Sequence, residues 1–212
     1  MAEVVVKPKA FTKEWFGYVW DYYKWHIIVG IVAVILAVIT IVQICTTVKY
    51  DTNINFVATT VVTTENAEEI AAKCAENSSD LNNNGKVDIA FNQLNFTEEN
   101  RENGEMHSAL LNKLMALFSS GDELIFVVDS YMLEQITRIS YTEDIFVPSS
   151  EWADEAGIKE GVYAVSLADS TAFKESGVDS SDMYVMVARM DYEDGLKPAE
   201  ENAIAIANFL IK

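Results

Sequence analysis

The amino-acid sequence predicts an α/β protein with one transmembrane helix near its N-terminus. Behind that helix we expect a three-layer α/β sandwich, built on a mostly parallel sheet of about five strands with a mixed edge. Three features predict this fold: an uncharged apolar run over residues 27–44, apolar patterns that alternate between strand and helix periods over residues 50–140, and the continuously apolar stretch Leu124–Val128. The last feature is typical of a central strand covered on both faces.

The apolar run IIVGIVAVILAVITIVQI covers Ile27–Ile44 and contains 18 residues without a charge. As a helix it is about 27 Å long, close to the roughly 30 Å hydrocarbon core of a bilayer. The run is too long for the apolar region of a cleaved signal peptide, and no small-residue cleavage site follows it. A lipoprotein signal does not fit either, because Ile44 precedes Cys45 where such a signal needs a small residue. We therefore expect a transmembrane helix over residues 26–48.

The charges around the run predict its orientation. Four lysines precede it and only Lys49 follows it closely, which predicts a cytoplasmic N-terminus and a single-pass protein of the cell membrane. Residues 1–25 then form a cytoplasmic and interfacial segment, of which residues 1–10 are expected to be disordered. Seven aromatic residues between Trp15 and Trp25 favour the headgroup layer as an interfacial belt, with a plain extension of the helix as the alternative.

Residues 49–212 form the predicted extracytoplasmic domain, and they are strongly acidic. They contain 11 basic and 30 acidic side chains, a net charge of −19. Such a domain repels phosphate backbones, so we expect no nucleic-acid partner. The two cysteines, Cys45 at the end of the apolar run and Cys74 in a predicted helix, are not expected to form a disulfide. Stability must therefore come from a packed core, which a domain of about 160 residues can provide.

The domain alternates strand and helix patterns. Apolar alternation and β-branched runs predict five strands, over residues 50–58, 87–96, 124–128, 162–167 and 183–189. Helical spacing and capping residues predict helices over residues 63–77, 103–120 and 131–139, around Ala172, and from about Pro198 to the C-terminus. Residues 141–161 are predicted to be irregular. The order indicates that the first three strands are parallel and that the last two form the mixed edge.

Two stretches resemble known families. WDYYKWHIIVGIV resembles the approach to the membrane in small uncharacterised single-pass proteins of Gram-positive bacteria. ELIFVVDSYMLEQI, with the later YAVSLADSTAFKESG, resembles one lobe of type II extracellular solute-binding proteins, in which a strand ends in an acidic or hydroxyl residue before a short helix. The resemblance implies a solute-binding-like α/β fold. Solute-binding proteins hold their ligand between two lobes, whereas residues 49–212 are long enough for one.

The stretch DLNNNGKVD, residues 80–88, matches the first nine positions of an EF-hand-type calcium loop. Such a loop needs oxygen ligands at alternate positions and a glycine for its sharp turn. The ligands would be the side chains of Asp80, Asn82, Asn84 and Asp88 and the backbone carbonyl of Lys86. The twelfth position is Phe91 instead of an acidic residue, so calcium would bind weakly. The alternative is a plain Asn-Gly turn that leads into a strand.

Polar residues also follow the first three predicted strands, where ligands of open α/β sheets bind. They are Thr59, Thr60, Asn95, Asp129 and Ser130. The same residue types cap helices, which is the alternative interpretation. No nucleophile elbow, phosphate loop, dinucleotide fingerprint or C-x-x-C motif is present, and neither His26 nor His107 has an identifiable catalytic partner.

These observations favour a non-enzymatic, membrane-anchored domain outside the cell that binds an envelope protein or a small ligand. One alternative is a cell-surface enzyme, which would need an acid or base that the sequence does not reveal. Another is a subunit of a membrane complex that acts through its aromatic anchor. Calcium is the only cofactor that the sequence points to, through residues 80–88.

Overall fold

The computed structural model describes residues 10–46, 49–121, 123–139, 142–154, 162–189 and 197–212. The chain divides into two compact units, Met1–Val48 and Lys49–Lys212. The prediction of disorder for residues 1–10 falls almost entirely outside the described residues.

The first unit contains one long helix, α1, over Lys13–Thr46. Its 34 residues correspond to about 51 Å, longer than a bilayer core. The hydroxyl of Thr12 accepts a hydrogen bond from the backbone N–H of Trp15 at 3.3 Å and so caps the helix. The helix therefore begins well before the apolar run, and the aromatic segment is its first part. The stretch Tyr23–Gln43 is long and apolar enough to cross a membrane, and none of its most apolar window is buried.

The second unit is built on a five-stranded sheet. Its strands are β1 (Thr52–Ala58), β2 (Ile89–Asn95), β3 (Ile125–Asp129), β4 (Val165–Ser166) and β5 (Met183–Val187), in the order β2-β1-β3-β5-β4. Strand β1 pairs in parallel with both β2 and β3, whereas β5 is antiparallel to β3 and to β4. The predicted α/β fold with a mostly parallel sheet and a mixed edge is confirmed.

Eight helices are described around the sheet: α2 (Thr64–Ala75), α3 (Glu98–Glu102), α4 (Gly104–Ser120), α5 (Ser130–Ile139), α6 (Thr142–Ile145), α7 (Ser149–Trp152), α8 (Thr171–Glu175) and α9 (Lys197–Leu210). Three expectations need correction. Helix α3 was not expected, residues 141–161 contain α6 and α7, and β4 has two residues instead of six. Residues 155–161 of that segment lie outside the described part of the chain.

Local capping chemistry fixes the ends of the longer helices. The Thr63 hydroxyl accepts from the backbone N–H of Asn66 at 3.3 Å, and the Asn103 side chain accepts from the N–H of Met106 at 3.2 Å. Gly121 ends α4 in the left-handed conformation, with φ of 72°, where a side chain would be strained. These boundaries were predictable because each depends on residues within one helical turn.

The core lies on both faces of the sheet. On one face Ile54, Phe56 and Val127 pack with α2, α8 and α9, and on the other Val57 and Phe126 pack with α4 and α5. Alternate residues of the central strands serve opposite faces, which explains their continuous apolar sequence. Cys74 lies in the first core, as predicted. Its burial raises the pKa of the thiol to about 12, so it remains a neutral packing residue.

Candidate functional site

Residues 80–88 form a closed loop. The two Asp80 carboxylate oxygens accept hydrogen bonds from the backbone N–H groups of Asn84 and Gly85, at 3.2 and 2.8 Å. The side chains of Asn82 and Asn84 accept from N–H groups two residues further on, at 3.0 and 2.8 Å. Gly85 has φ of 85°, as a sharp turn of this kind requires. The predicted ligands therefore share one loop, whose polar groups also satisfy one another.

A residue that the sequence did not single out closes this loop. One oxygen of Asp51 accepts from the backbone N–H groups of Leu81 and Asn82 at 2.8 and 2.9 Å, and the other accepts from the N–H of Asp88 at 2.8 Å. In the described part of the chain no hydrogen bond or ion pair involves the Asp88 side chain. The described residues contain no cluster of three or more His, Cys, Asp or Glu side chains that could hold a metal.

The carboxyl ends of the parallel strands carry the second predicted group of residues. Asp129 is 5% exposed, and one of its oxygens accepts from both the backbone N–H and the hydroxyl of Thr59, each at 2.6 Å. Its other oxygen accepts from the N–H of Met132 at 2.8 Å and so caps α5. Ser130 points away and donates to the exposed Asp182 at 2.7 Å. The structure brings Thr59 and Asp129 together as a clasp between β1 and β3, which favours the capping interpretation.

The remaining residues of this edge do not join that clasp. Thr60 is exposed, and the Asn95 carbonyl accepts from the side chain of Asn100 at 2.8 Å. The guanidinium of Arg101 lies 4.6 Å from the centre of the Tyr131 ring. His107 packs edge-on against Phe96 and, within the described residues, its Nδ1 has no hydrogen-bond partner. A general base held by a carboxylate is therefore not found at His107 in the described structure.

At the opposite end of β1 lies a polar group that the sequence reasoning missed. The carboxylate of Glu123 accepts hydrogen bonds from the side-chain amides of Asn53 at 3.1 Å and Asn55 at 2.7 Å. Asn55 is fully buried, and its oxygen accepts from the Asn92 side chain at 3.4 Å. Polar residues at alternate positions of β1 were the available signal. The face of β1 that Asn55 occupies is covered, and nothing in the strand pattern indicates this.

An open groove of about 470 Å³ lies beside α5, in the size range of small-molecule sites. Its walls are mostly apolar and include Leu133 of α5, Ala164 before β4, and the rings of Tyr163 and Tyr184. Hydroxyls of Ser130, Thr137 and Thr142 supply polar groups, and Glu134 supplies a carboxylate that is paired with Arg138. We name this the α5 groove. Of the polar residues predicted at the carboxyl ends of the first three strands, only Ser130 lines this groove.

Comparisons with known protein families, with characterised proteins and with solved structures find no match to this chain. The resemblances to single-pass membrane proteins and to one lobe of solute-binding proteins therefore stay predictions.

Proposed function

We propose that this chain is a single-pass membrane protein that holds residues 49–212 outside the cell as a non-enzymatic binding domain. The observation that carries the proposal is the apolar stretch Tyr23–Gln43, which has membrane-spanning length and whose most apolar window is not buried by the described residues. Exposing this apolar surface to water would be unfavourable in free energy. The excess of lysine on its N-terminal side supports a cytoplasmic N-terminus.

A membrane extraction experiment tests the anchor. We expect the full chain to stay in the membrane pellet at alkaline pH and to be released only by detergent, because its helix crosses the bilayer. The intact mass of the extracted protein should include residues 1–48. Release by alkali, or a mass that lacks the apolar helix, would show instead a peripheral protein or a cleaved signal sequence.

The α5 groove is the feature that best supports binding of a small ligand. Its apolar walls would exclude water, and its hydroxyl groups would orient polar atoms of a ligand. No described histidine has a carboxylate partner, so a binding role fits the described residues better than proton-transfer chemistry. An envelope protein that contacts the same groove is the other form of this proposal.

Filling the groove gives a prediction for ligand binding. A fragment library screened against residues 49–212 by ligand-observed NMR is expected to yield binders that lose about tenfold or more in affinity in Ala164→Phe. The matched control is Ala168→Phe, because Ala168 is exposed and does not line the groove. Binders with the same affinity for both variants would contradict a site in the α5 groove.

We propose calcium binding at residues 80–88 as a second function. The observation in its favour is the Asp88 carboxylate, which lacks a described partner beside a loop of three oxygen-bearing side chains. Millimolar calcium is expected to raise the melting temperature relative to chelator, because a ligand of the native state stabilises it. Asp88→Asn should abolish this rise without disturbing the loop, whereas Asp80→Ala would also remove two loop hydrogen bonds. Superimposable melting curves would leave the stretch as a turn.

A further inference from the structure

Strand β2 is an unusually open edge of the sheet. It contains seven residues and carries no charge, proline or glycine. Its register with β1 runs without interruption over all seven pairs, so no bulge twists it away. The strand at the other edge, β4, has only two residues. Proteins normally protect long edge strands with charges, prolines or bulges, because an open edge pairs readily with another chain.

The register shows which backbone groups of β2 point outward. The N–H of Phe96 donates to the carbonyl of Ala58, and the carbonyl of Asp88 accepts from the N–H of Asp51, both at 2.8 Å. Backbone groups of a parallel strand alternate between its two sides. Those of Ala90, Asn92 and Leu94 therefore face β1. Those of Ile89, Phe91 and Gln93 face away from the sheet, and in the described part of the chain no hydrogen bond to them is found.

A groove of about 320 Å³ runs beside these outward groups, between β2 and α2. Side chains of Phe91 and Gln93 form one wall, and Ala71 and Glu68 of α2 form the other. Gln93 also fixes the loop after β1, because its side chain exchanges hydrogen bonds of 3.0 and 2.8 Å with the backbone of Val62. A strand added to β2 could therefore place alternate side chains in a preformed groove.

We propose that β2 accepts an extended, basic segment of another protein as a sixth strand of the sheet. The backbone of that segment would bond to the outward groups of Ile89, Phe91 and Gln93, and its apolar side chains would enter the groove. The negative charge of the domain favours a basic segment as the added strand. The domain carries −19 and Glu68 lines the groove, so a basic segment is attracted, whereas a second copy of this chain would be repelled. This site lies at the far edge of the sheet from the α5 groove and does not depend on it.

The test uses the full chain in neutral maltoside micelles and a synthetic alternating Lys-Val heptapeptide as the probe, with empty micelles as a blank. We expect saturable binding by fluorescence anisotropy and slower amide exchange at Ile89, Phe91 and Gln93. The amides of Ala90 and Asn92 should change little, because β1 already protects them. An alternating Glu-Val peptide, or the Lys-Val peptide methylated at every backbone nitrogen, should bind at least about tenfold more weakly.

A matched pair of variants locates the site. Ala71→Phe fills the groove from α2 and is expected to weaken the Lys-Val peptide about tenfold or more. Ala72→Phe places the same ring on the exposed side of α2, outside the groove, and should leave binding within about twofold. Unchanged exchange at Ile89, Phe91 and Gln93 under saturating peptide would overturn the proposal whatever the variants do. Equal binding of the Glu-Val peptide would overturn the basic partner.

Discussion

Replacing Asp129 by alanine is expected to lower the free energy of unfolding of residues 49–212 by about 3 kcal/mol. The carboxylate is nearly buried and accepts three hydrogen bonds, from the N–H and hydroxyl of Thr59 and from the N–H of Met132. Its removal takes away the cap of α5 and leaves donors of the β1 loop without a partner. The Asp129 side chain therefore joins the end of β3 to the residue that follows β1.

Urea denaturation followed by circular dichroism measures this effect. Asp182→Ala is the control, because Asp182 is exposed and accepts a hydrogen bond from Ser130 at the same edge. The Asp182→Ala substitution should lower the free energy of unfolding by less than about 1 kcal/mol. Equal denaturation midpoints for the two variants would mean that the Asp129 clasp contributes no more than a surface contact, and that the edge residues are available for another role.

Asn55→Asp is the second large change, and we expect it to lower the free energy of unfolding by about 3 kcal/mol or more at neutral pH. Asn55 is fully buried and donates to the Glu123 carboxylate at 2.7 Å. The substitution replaces the donor by a second carboxylate and places two like charges in contact. At acidic pH, where one carboxyl group carries a proton, a hydrogen bond can form again, so the loss should shrink.

The measurement compares urea midpoints at pH 7 and at about pH 4.5 for Asn55→Asp and for Asn112→Asp, each against the parent protein at the same pH. Asn112 is exposed on α4, so Asn112→Asp should change the free energy of unfolding by no more than about 0.5 kcal/mol at either pH. A loss for Asn55→Asp that is small, or equal at both pH values, would contradict a buried contact between Asn55 and Glu123.

The local elements of this fold could be predicted because their signals are short. Thr63 and Asn103 cap their helices through residues three positions away, and Leu124–Val128 is apolar because both faces of β3 are covered. The position of β5 between β3 and β4, by contrast, could not be predicted from a short local pattern. It depends on pairing between Ile125 and Val187, which no pattern within either strand specifies.

The site residues divide in the same way. The ligand pattern of residues 80–88 is local, and the structure places its members in one loop. Asp51 and Glu123 were missed because their partners are about 30 and 70 residues away along the chain. The α5 groove combines α5 with residues 162–164 and Tyr184, so its lining exists only after the sheet has formed. Sequence patterns could not indicate it.

The orientation of the chain in the membrane can be measured with two epitope tags. One tag before Met1 and another after Lys212 are stained with antibody on intact and on permeabilised protoplasts of a Gram-positive host. If residues 49–212 are anchored outside the cell, we expect the C-terminal tag to be stained on intact cells and the N-terminal tag only after permeabilisation. A C-terminal tag that is stained only after permeabilisation, or that appears free in the medium, would contradict a domain anchored outside the cell.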